Sequence, residues 1–342
     1  MYGKVSQVTH MTNIFLTHPP DALKNYYGEK AVAGLKALGT VRFNPLGREL
    51  SMPELTDAAR GCAIIISYRQ TPGEPELFRN APDLIAFSRC AIDIRNIDVA
   101  AASAQGILVT QASAGFIASV AEWIIGAMVD LGRGLTAATA AYRAGRVPDA
   151  VMGRQLRAST LGVIGYGQIA RELCAAGLAL GMRVLVSDPY AKVTDRALTH
   201  LALPQLLAAA DFVTCLAVAN DETENLIDDA AFAQMKPGAF FINASRGNLV
   251  DEAALRRALD SGRLAGCAMD VGRAADQMPT PALAAHPKVI ATPHIGGLTP
   301  PAIEHQALET VAQAAEILAG RAPAGAVNAN HATRLARLKA TP

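Results

Sequence analysis

Short apolar runs alternate along the chain with longer stretches of helical character. The runs lie at residues 62–67, 106–110, 161–164, 183–186, 212–216, 239–242 and 288–291. Helical stretches such as 170–180, 203–210 and 252–261 separate most of the later runs. Continuous apolar strands that alternate with helices are typical of a parallel sheet covered on both faces. The pattern therefore predicts an α/β fold.

One stretch, residues 119–131, is apolar almost all round and contains the only tryptophan, Trp123. This pattern predicts a helix buried between other elements, which either joins two lobes or lines a subunit interface. The segment 144–150 contains Gly and Pro and predicts a loop before a second lobe. The tail from Gly320 is expected to be weakly ordered except where it packs back.

Composition narrows the class of protein. With 342 residues and about 150 residues per domain, two domains are expected. Apolar residues make up 51% of the chain and charged residues 18%, so the chain is too apolar to be disordered. The 31 basic and 30 acidic residues leave a net charge of +1, without a block of consecutive basic residues. A nucleic-acid or membrane-surface partner is therefore not expected.

The expected location of the protein follows from its first residues and its cysteines. Residues 1–10 hold no apolar stretch of the kind that a secretory signal needs. The longest uncharged stretch, 99–121, is interrupted by polar residues and does not predict a transmembrane helix. The 5 cysteines show no CxxC spacing, which favours buried reduced thiols over disulfides or a metal site. A cytoplasmic protein is expected.

A glycine-rich turn follows the run at 161–164 and opens a helix. It has the pattern GxGxxA, with Gly165 for a tight turn, Gly167 for close backbone approach to a pyrophosphate, and a small Ala170 for helix packing. Gln168 and Ile169 lie in this turn and are candidate cofactor-binding residues, and the N-terminus of the helix that it opens offers unpaired N–H groups and a positive dipole end. This turn predicts a dinucleotide site.

Asp188 ends the next predicted strand, 23 residues after Gly165 (188 − 165). An acid there can accept hydrogen bonds from ribose hydroxyls and repels a 2′-phosphate, which favours NAD over NADP. Two other interpretations remain open. Asp188 can be a turn or capping residue in a plain βαβ unit, and a methyltransferase can use the same turn for its nucleoside cofactor.

Two further residues follow strands and can do chemistry. Arg246 can hold a carboxylate and polarise a neighbouring carbonyl, or it can be a loop arginine paired with Asp251 or Glu252. His294 can take or give a proton near neutral pH, although an isolated histidine is more often structural. No HExxH spacing and no GxSxG elbow occur, so metal catalysis and serine-hydrolase chemistry are not expected.

These features occur together with several other local motifs. The motifs are Asn96-Ile97-Asp98, residues 119–122, the turn at 162–170, Asp188-Pro189-Tyr190, residues 235–238, Ser245-Arg246-Gly247, Met269-Asp270-Val271 and residues 292–297. On them the chain, from about residue 84 to 303, resembles the D-isomer-specific 2-hydroxyacid dehydrogenase family (phosphoglycerate dehydrogenase-like).

The resemblance implies two Rossmann-like, doubly wound parallel-sheet lobes with the active site in the cleft between them. The dinucleotide-binding lobe, residues 119–300, would be inserted into a substrate-binding lobe formed by 1–118 and 301–342. The resemblance further implies a homodimer, NAD(H) as cofactor, and a small D-2-hydroxy acid or 2-oxo acid as substrate.

The resemblance also implies a role for each motif residue. Arg246 would bind the substrate carboxylate and carbonyl, and His294 would act as general acid and base while hydride passes between C2 and the nicotinamide. Asp270 would contact the nicotinamide carboxamide, and Ser245 would belong to the cofactor site. The acid that usually pairs with the histidine falls at Ala275, so Asp276 either replaces it by a one-residue shift or is a solvated loop acid.

The substrate loop also departs from the family pattern. It reads Ser-Arg-Cys-Ala-Ile-Asp at 88–93, where the backbone N–H groups of Ala91 and Ile92 would face the substrate carboxylate. Asp93 would oppose an anionic substrate unless Arg89 or Arg95 neutralises it. Arg69 can reach a second anionic group or can be a surface residue. These changes keep open a second hypothesis, a dinucleotide-sensing binding protein on the same fold with little or no turnover.

Overall fold

The computed structural model describes residues 13–339, without the side chains of Asp276 and Lys339. The chain forms two compact units. Of the described residues, the first unit contains 13–115 and 300–339, and the second contains 116–299. Each unit has its own sheet and its own hydrophobic core.

A five-stranded parallel sheet in the order β2-β1-β3-β4-β5 forms the centre of the first unit. Its strands are β1 (Asn13–Leu16), β2 (Thr40–Phe43), β3 (Ile64–Ser67), β4 (Ala86–Arg89) and β5 (Leu108–Gln111). Its helices are α1 (Pro20–Tyr26), α2 (Glu29–Leu38), α3 (Met52–Ala58), α4 (Pro75–Asn80), α5 (Val99–Ala104), α13 (Pro300–Leu318) and α14 (Ala336–Lys339). Strands β3 and β4 are buried along their whole length, as expected for inner strands covered on both faces.

The second unit contains a seven-stranded parallel sheet in the order β12-β11-β10-β9-β6-β7-β8. Its strands are β6 (Thr160–Ile164), β7 (Arg183–Ser187), β8 (Thr199–His200), β9 (Phe212–Cys215), β10 (Ala239–Asn243), β11 (Leu264–Met269) and β12 (Val289–Ala291). Its helices are α6 (Ile117–Arg133), α7 (Leu135–Arg143), α8 (Gln168–Ala179), α9 (Leu203–Ala209), α10 (Asp229–Gln234), α11 (Glu252–Asp260) and α12 (Pro281–Ala284). The predicted α/β class is confirmed.

The apolar stretch at 119–131 lies within α6, which buries one face rather than its whole surface. Ile124 and Met128 are fully buried in the core of the second unit, whereas Val129 is 36% exposed. A helix so rich in apolar residues therefore leaves part of its apolar surface uncovered by the described chain.

The tail beyond Gly320 packs back against the first unit at several of its described residues, and there it is held in place. The Asn328 side chain accepts a hydrogen bond from Val109 N at 2.7 Å and donates one to Ile107 O at 2.9 Å. Arg334 donates to Ala81 O and Leu84 O, at 2.8 and 2.7 Å. Composition indicated a loop, but side-chain bonds to buried backbone groups hold this segment in place.

Candidate active site

The candidate site of the second unit is built at the carboxyl ends of its parallel strands. In the strand order β6 lies between β7 and β9, so the chain leaves β6 on one side and later returns on the other. Open α/β sheets bind ligands beyond the strand ends at such a switch point. The predicted residues near strand ends are Gly165 and Gly167 after β6, Asp188 after β7, Ser245 and Arg246 after β10, Asp270 after β11, and His294 after β12.

The glycine turn has the geometry that its sequence predicts. Gly165 has φ +89°, and a Cβ there would lie 2.7 Å from Leu216 O, so a side chain would be both strained and obstructed. Gly167 is exposed and precedes α8, and a Cβ on it would meet nothing within 4 Å, which leaves its backbone approachable. Gln168 is exposed and Ile169 half-buried in the first turn of α8. The turn therefore fits a bound pyrophosphate.

Asp188 holds the glycine turn and remains anionic. Its carboxylate accepts hydrogen bonds from the backbone N–H groups of Tyr166, Tyr190 and Ala191, at 2.8, 2.8 and 2.9 Å. Burial acts to raise the pKa of Asp188, but these three donors and nearby His200 outweigh it and lower the pKa below its usual value. The turn role considered from the sequence is therefore present, and it places a charged carboxylate beside the first glycine.

A buried asparagine that sequence reasoning missed shapes the loop around Arg246. The Asn243 side chain is fully buried, donates to Arg246 O at 2.9 Å and accepts from Ser245 N at 3.1 Å. Ser245 Oγ donates to Ala217 O at 2.7 Å, which ties this loop to the segment after β9. Arg246 is half-buried and its Nη1 donates to Ser245 O at 2.7 Å. Local side-chain bonds of this kind replace a regular ladder where a strand ends.

The carboxylates considered as partners of Arg246 have other contacts. Asp251 caps α11 by accepting from Ala253 N at 2.9 Å and Ala254 N at 3.1 Å. Glu252 accepts from Arg273 N at 3.1 Å and from Thr280 Oγ1 at 2.7 Å. Both acids therefore organise the ends of neighbouring segments.

Two glycines bring the Arg246 loop against the loop that follows Asp270. A Cβ on Gly247 would lie only 2.0 Å from Gly272 O, and a Cβ on Gly272 would lie 2.5 Å from Pro279 Cα. The two loops can approach this closely only because residue 247 has no side chain, and the missing side chain of Gly272 makes room for the backbone of Pro279. The Ser-Arg-Gly motif contains the first of these glycines, but nothing in the sequence links it with the second.

His294 lies in a loop that is hydrogen-bonded to the side chain of Asp270. His294 is half-buried and has φ +57°, in the left-handed region that few residues other than glycine adopt. Asp270 is only 3% exposed, and its carboxylate accepts from Thr292 Oγ1 at 2.6 Å, Ile295 N at 2.8 Å and Gly296 N at 2.7 Å. Sequence reasoning assigned Asp270 to the cofactor and missed these contacts.

The structure describes the backbone of Asp276, the acid proposed to pair with His294, but not its side chain. Residues Ala275–Gln277 form a 3-10 turn, and Gly272 N donates to Gln277 O at 2.7 Å. The side chain of Asp276 lies outside the described residues, so its contact with His294 stays a prediction.

In the first unit, Arg95 forms an ion pair with Asp93. Arg95 Nη2 lies 2.5 Å from the Asp93 carboxylate. Arg89 is fully buried and donates to Thr71 O at 2.8 Å and to Asn96 Oδ1 at 2.6 Å, which fixes the loop after β3. The sequence alone could not show which of the two arginines, Arg89 or Arg95, has a buried side chain.

Besides Arg246, three residues predicted to contact substrate lie after strands of the first unit. Ala91 is half-buried and Ile92 is 36% exposed, both just after β4. The Arg69 guanidinium, after β3, lies 5.6 Å from the ring centroid of Tyr26, within the range of a cation–π contact. All three follow carboxyl strand ends, where ligands bind in parallel sheets.

Several other findings bear on the class of protein. All 5 cysteines are buried and none forms a disulfide with another. Within residues 13–339, no group of three or more His, Cys, Asp or Glu side chains is arranged to hold a metal ion. None of the helices in that range combines the length and the apolarity that a bilayer-spanning helix needs.

Comparison with known proteins points to one family. The family model described as "D-isomer specific 2-hydroxyacid dehydrogenase, NAD binding domain" matches residues 125–296. The chain is 34% identical to (S)-sulfolactate dehydrogenase from Chromohalobacter salexigens over 282 residues, covering 81% of this chain and 91% of that protein. It is 33% identical to D-3-phosphoglycerate dehydrogenase from Rattus norvegicus over 84% of this chain, but it spans only 54% of that longer protein.

Solved structures have the same fold. The structure of a D-2-hydroxyisocaproate dehydrogenase superposes with a TM-score of 0.84 over 93% of this chain and 100% of that one. At 24% sequence identity this likeness concerns the fold alone. It agrees with the two Rossmann-like lobes that the sequence motifs imply.

Proposed function

The chain belongs to the D-isomer specific 2-hydroxyacid dehydrogenase family, and we propose that its Arg246 and His294 carry out the family's reaction. The protein is an oxidoreductase that uses NAD(H) and acts on the C2 position of a 2-hydroxy acid or 2-oxo acid. The observation that carries the proposed roles is the position of both residues beyond the carboxyl ends of β10 and β12, on either side of β11.

The proposed cofactor site uses the glycine turn and Asp188. Backbone N–H groups at Gly167, Gln168 and Ile169, at the positive end of α8, bind the pyrophosphate. The charged carboxylate of Asp188 accepts hydrogen bonds from the ribose hydroxyls, and Ser245 and Asp270 complete the site. When bound, NAD(H) supplies or accepts the hydride.

The proposed chemistry needs one cationic group and one proton carrier. Arg246 binds the substrate carboxylate with its planar guanidinium and polarises the 2-oxo group, which stabilises the negative charge that builds on oxygen during reduction. His294 gives a proton to that oxygen in reduction and takes it back in oxidation. Asp276 orients the imidazole of His294 and stabilises its protonated form.

The first unit supplies the remaining proposed contacts. The backbone N–H groups of Ala91 and Ile92 bind the substrate carboxylate, and Arg69 binds a second anionic group on the substrate. The Arg95–Asp93 pair supports this assignment, because the acid next to the loop is already neutralised. Residues 1–118 and 301–342 are accordingly the substrate-binding domain and 119–300 the NAD-binding domain, which the two compact units support.

Reduction of a panel of 2-oxo acids tests these roles. NADH oxidation is followed with glyoxylate, hydroxypyruvate, pyruvate and bulkier analogues for the wild type and for Arg246→Ala and His294→Ala. Each variant is expected to lose roughly 10² to 10⁴ in kcat/KM, the usual loss on removing a charged substrate contact or a general acid. Arg321→Ala and His331→Ala, in the first unit, are the matched controls. Activity that survives both site substitutions unchanged overturns the roles, and tight NADH binding without any turnover indicates a dinucleotide sensor instead.

We also propose that the protein is a cytoplasmic homodimer. Large apolar side chains are exposed along the segment from α7 to the start of β6: Leu135 52%, Tyr142 63%, Val147 83%, Val151 83% and Met152 95%. Such a run of exposed apolar residues is typical of a protein–protein interface. The five buried thiols support a reducing compartment.

Light scattering coupled to size-exclusion chromatography tests the dimer. The wild type is expected to have twice the chain mass, and Met152→Asp and Val151→Asp are expected to shift it toward the monomer. Val218→Asp, at a side chain 77% exposed elsewhere in the same unit, is the matched control. A wild type that is monomeric at all concentrations contradicts the proposal.

A further inference from the structure

We propose that Thr292 and Asp270 together are positioning residues, which hold the loop of His294 in its active conformation. This inference rests on the proposed function, because it matters only if His294 transfers the proton. In this proposal Thr292 does not contact the substrate, and Asp270 has a second task besides its proposed contact with the cofactor.

The carboxylate of Asp270 contacts the His294 loop on both sides of the histidine. Thr292 lies two residues before His294, and its hydroxyl donates to Asp270 Oδ1 at 2.6 Å. Ile295 and Gly296 are the next two residues after the histidine, and their backbone N–H groups donate to Oδ1 at 2.8 Å and Oδ2 at 2.7 Å. One buried side chain thus fixes the backbone before and after the proposed acid.

The conformation that these bonds maintain is one a histidine does not readily adopt. His294 has φ +57°, and its own N–H donates to Thr292 O at 2.9 Å in a tight turn. Left-handed backbone in a residue other than glycine persists only when the surroundings hold it. The charged acceptor provides that hold, because hydrogen bonds to a carboxylate are stronger than those between neutral groups.

Gly296 shows how closely the loop fits onto the carboxylate. A Cβ at this position would lie 2.8 Å from Asp270 Oδ2, closer than real side chains approach an oxygen. Glycine at residue 296 lets the N–H of this residue donate to Oδ2 without displacing the carboxylate. The glycine after His294 therefore serves the contact with Asp270.

The distribution of donors also links the loop to the proposed cofactor contact. Oδ1 accepts two hydrogen bonds from described residues, whereas Oδ2 accepts one. A carboxylate oxygen can accept two, so Oδ2 has capacity for the carboxamide N–H of the nicotinamide. The same side chain would then hold the cofactor and the catalytic loop.

The test compares Thr292→Val, which removes the hydroxyl at nearly constant volume, with Thr292→Ser, which keeps it. Ser119→Ala is the matched control, because it removes a 2.7 Å hydroxyl contact to Thr299 in the same unit without touching Asp270. The first readout is amide hydrogen exchange at Ile295 and Gly296 in the cofactor-free protein. The second is kcat and KM for 2-oxo acid reduction as a function of pH.

Thr292→Val is expected to speed exchange at both amides by roughly tenfold, the effect of losing one hydrogen bond to a charged group. It is expected to lower kcat by a similar factor and to alter the pH profile, while KM for the 2-oxo acid stays near the wild-type value. Thr292→Ser and Ser119→Ala are expected to match the wild type. A merely structural role of the hydroxyl would not separate kcat from KM in this way.

Wild-type exchange rates in Thr292→Val, or equal losses in Thr292→Ser, overturn the positioning role. Because the exchange measurement needs neither cofactor nor substrate, unchanged exchange rates overturn the positioning role whether or not the proposed function holds. A wild type that turns over no 2-oxo acid instead overturns the proposed function, so the two failures are distinguishable.

Discussion

Substitution of Gly247 by alanine tests whether the two loops of the site must touch. The added Cβ would lie 2.0 Å from Gly272 O and 2.1 Å from Gly272 C, and both atoms belong to backbone that cannot rotate away. Since side-chain carbons do not approach backbone oxygen closer than about 3 Å, the loops must separate by roughly 1 Å. Overpacking of this size costs about 1–3 kcal/mol of stability.

The larger expected effect of Gly247→Ala is on catalysis. A displacement of about 1 Å at positioned catalytic groups lowers rates by roughly 10²-fold. The substitution is next to Arg246, whereas the glycine turn proposed to bind the dinucleotide lies after β6. We therefore expect kcat/KM for 2-oxo acids to fall about 10²-fold, and the affinity for NADH, from quenching of protein fluorescence, to fall much less because the glycine turn is unchanged.

Gly47→Ala is the matched control for this substitution. Gly47 is exposed in the first unit, and a Cβ there would meet nothing within 4 Å. It should retain wild-type kinetics and melting temperature. Activity of Gly247→Ala within a factor of about 3 of the wild type would refute the reasoning, because a 1 Å displacement is expected to cost far more.

Three further substitutions test the described contacts. Burial, with the charge of Arg89, lowers the pKa of His18 to about 3, so the unfolded chain binds more protons than the folded one between about pH 3 and the reference pKa near 6.5. The free energy of unfolding should therefore fall with decreasing pH over this window, by up to about 1.4 kcal/mol per pH unit from this group. In urea unfolding at several pH values, His18→Leu should make this free energy depend less on pH. Asn328→Ala leaves the buried N–H of Val109 without its acceptor and should cost roughly 2–4 kcal/mol in urea unfolding, whereas a loss below about 0.5 kcal/mol contradicts the tail contact. Asp188→Ala should raise the Kd for NADH roughly tenfold and reduce discrimination against NADPH, and unchanged affinities would exclude its cofactor role.

The fold and the glycine turn were predictable because their signals are local. Alternation of apolar runs and helices depends on neighbours in the chain, and so does the GxGxxA turn with Gly165 at positive φ. The positions of Arg246 and His294 beyond strand ends follow from the same pattern. Their catalytic roles came from resemblance to a family and stay predictions until variants are measured.

Other features depend on contacts between distant parts of the chain. Asp270 meets Thr292 only because β11 and β12 pair in the register that sets Met269 beside Ala291. The approach of Gly247 to Gly272 depends likewise on neighbouring strand ends. No periodicity in the sequence encodes which distant loops meet, which is why these contacts appear only in the structure.

The transfer of deuterium from 4-deuterated NADH to the product tests the central claim most directly. We expect the wild type, given a 2-oxo acid, to form a D-2-hydroxy acid with deuterium at C2, and Arg246→Ala and His294→Ala to form it far more slowly. NADH that binds tightly while no labelled hydroxy acid appears with any 2-oxo acid would contradict the account.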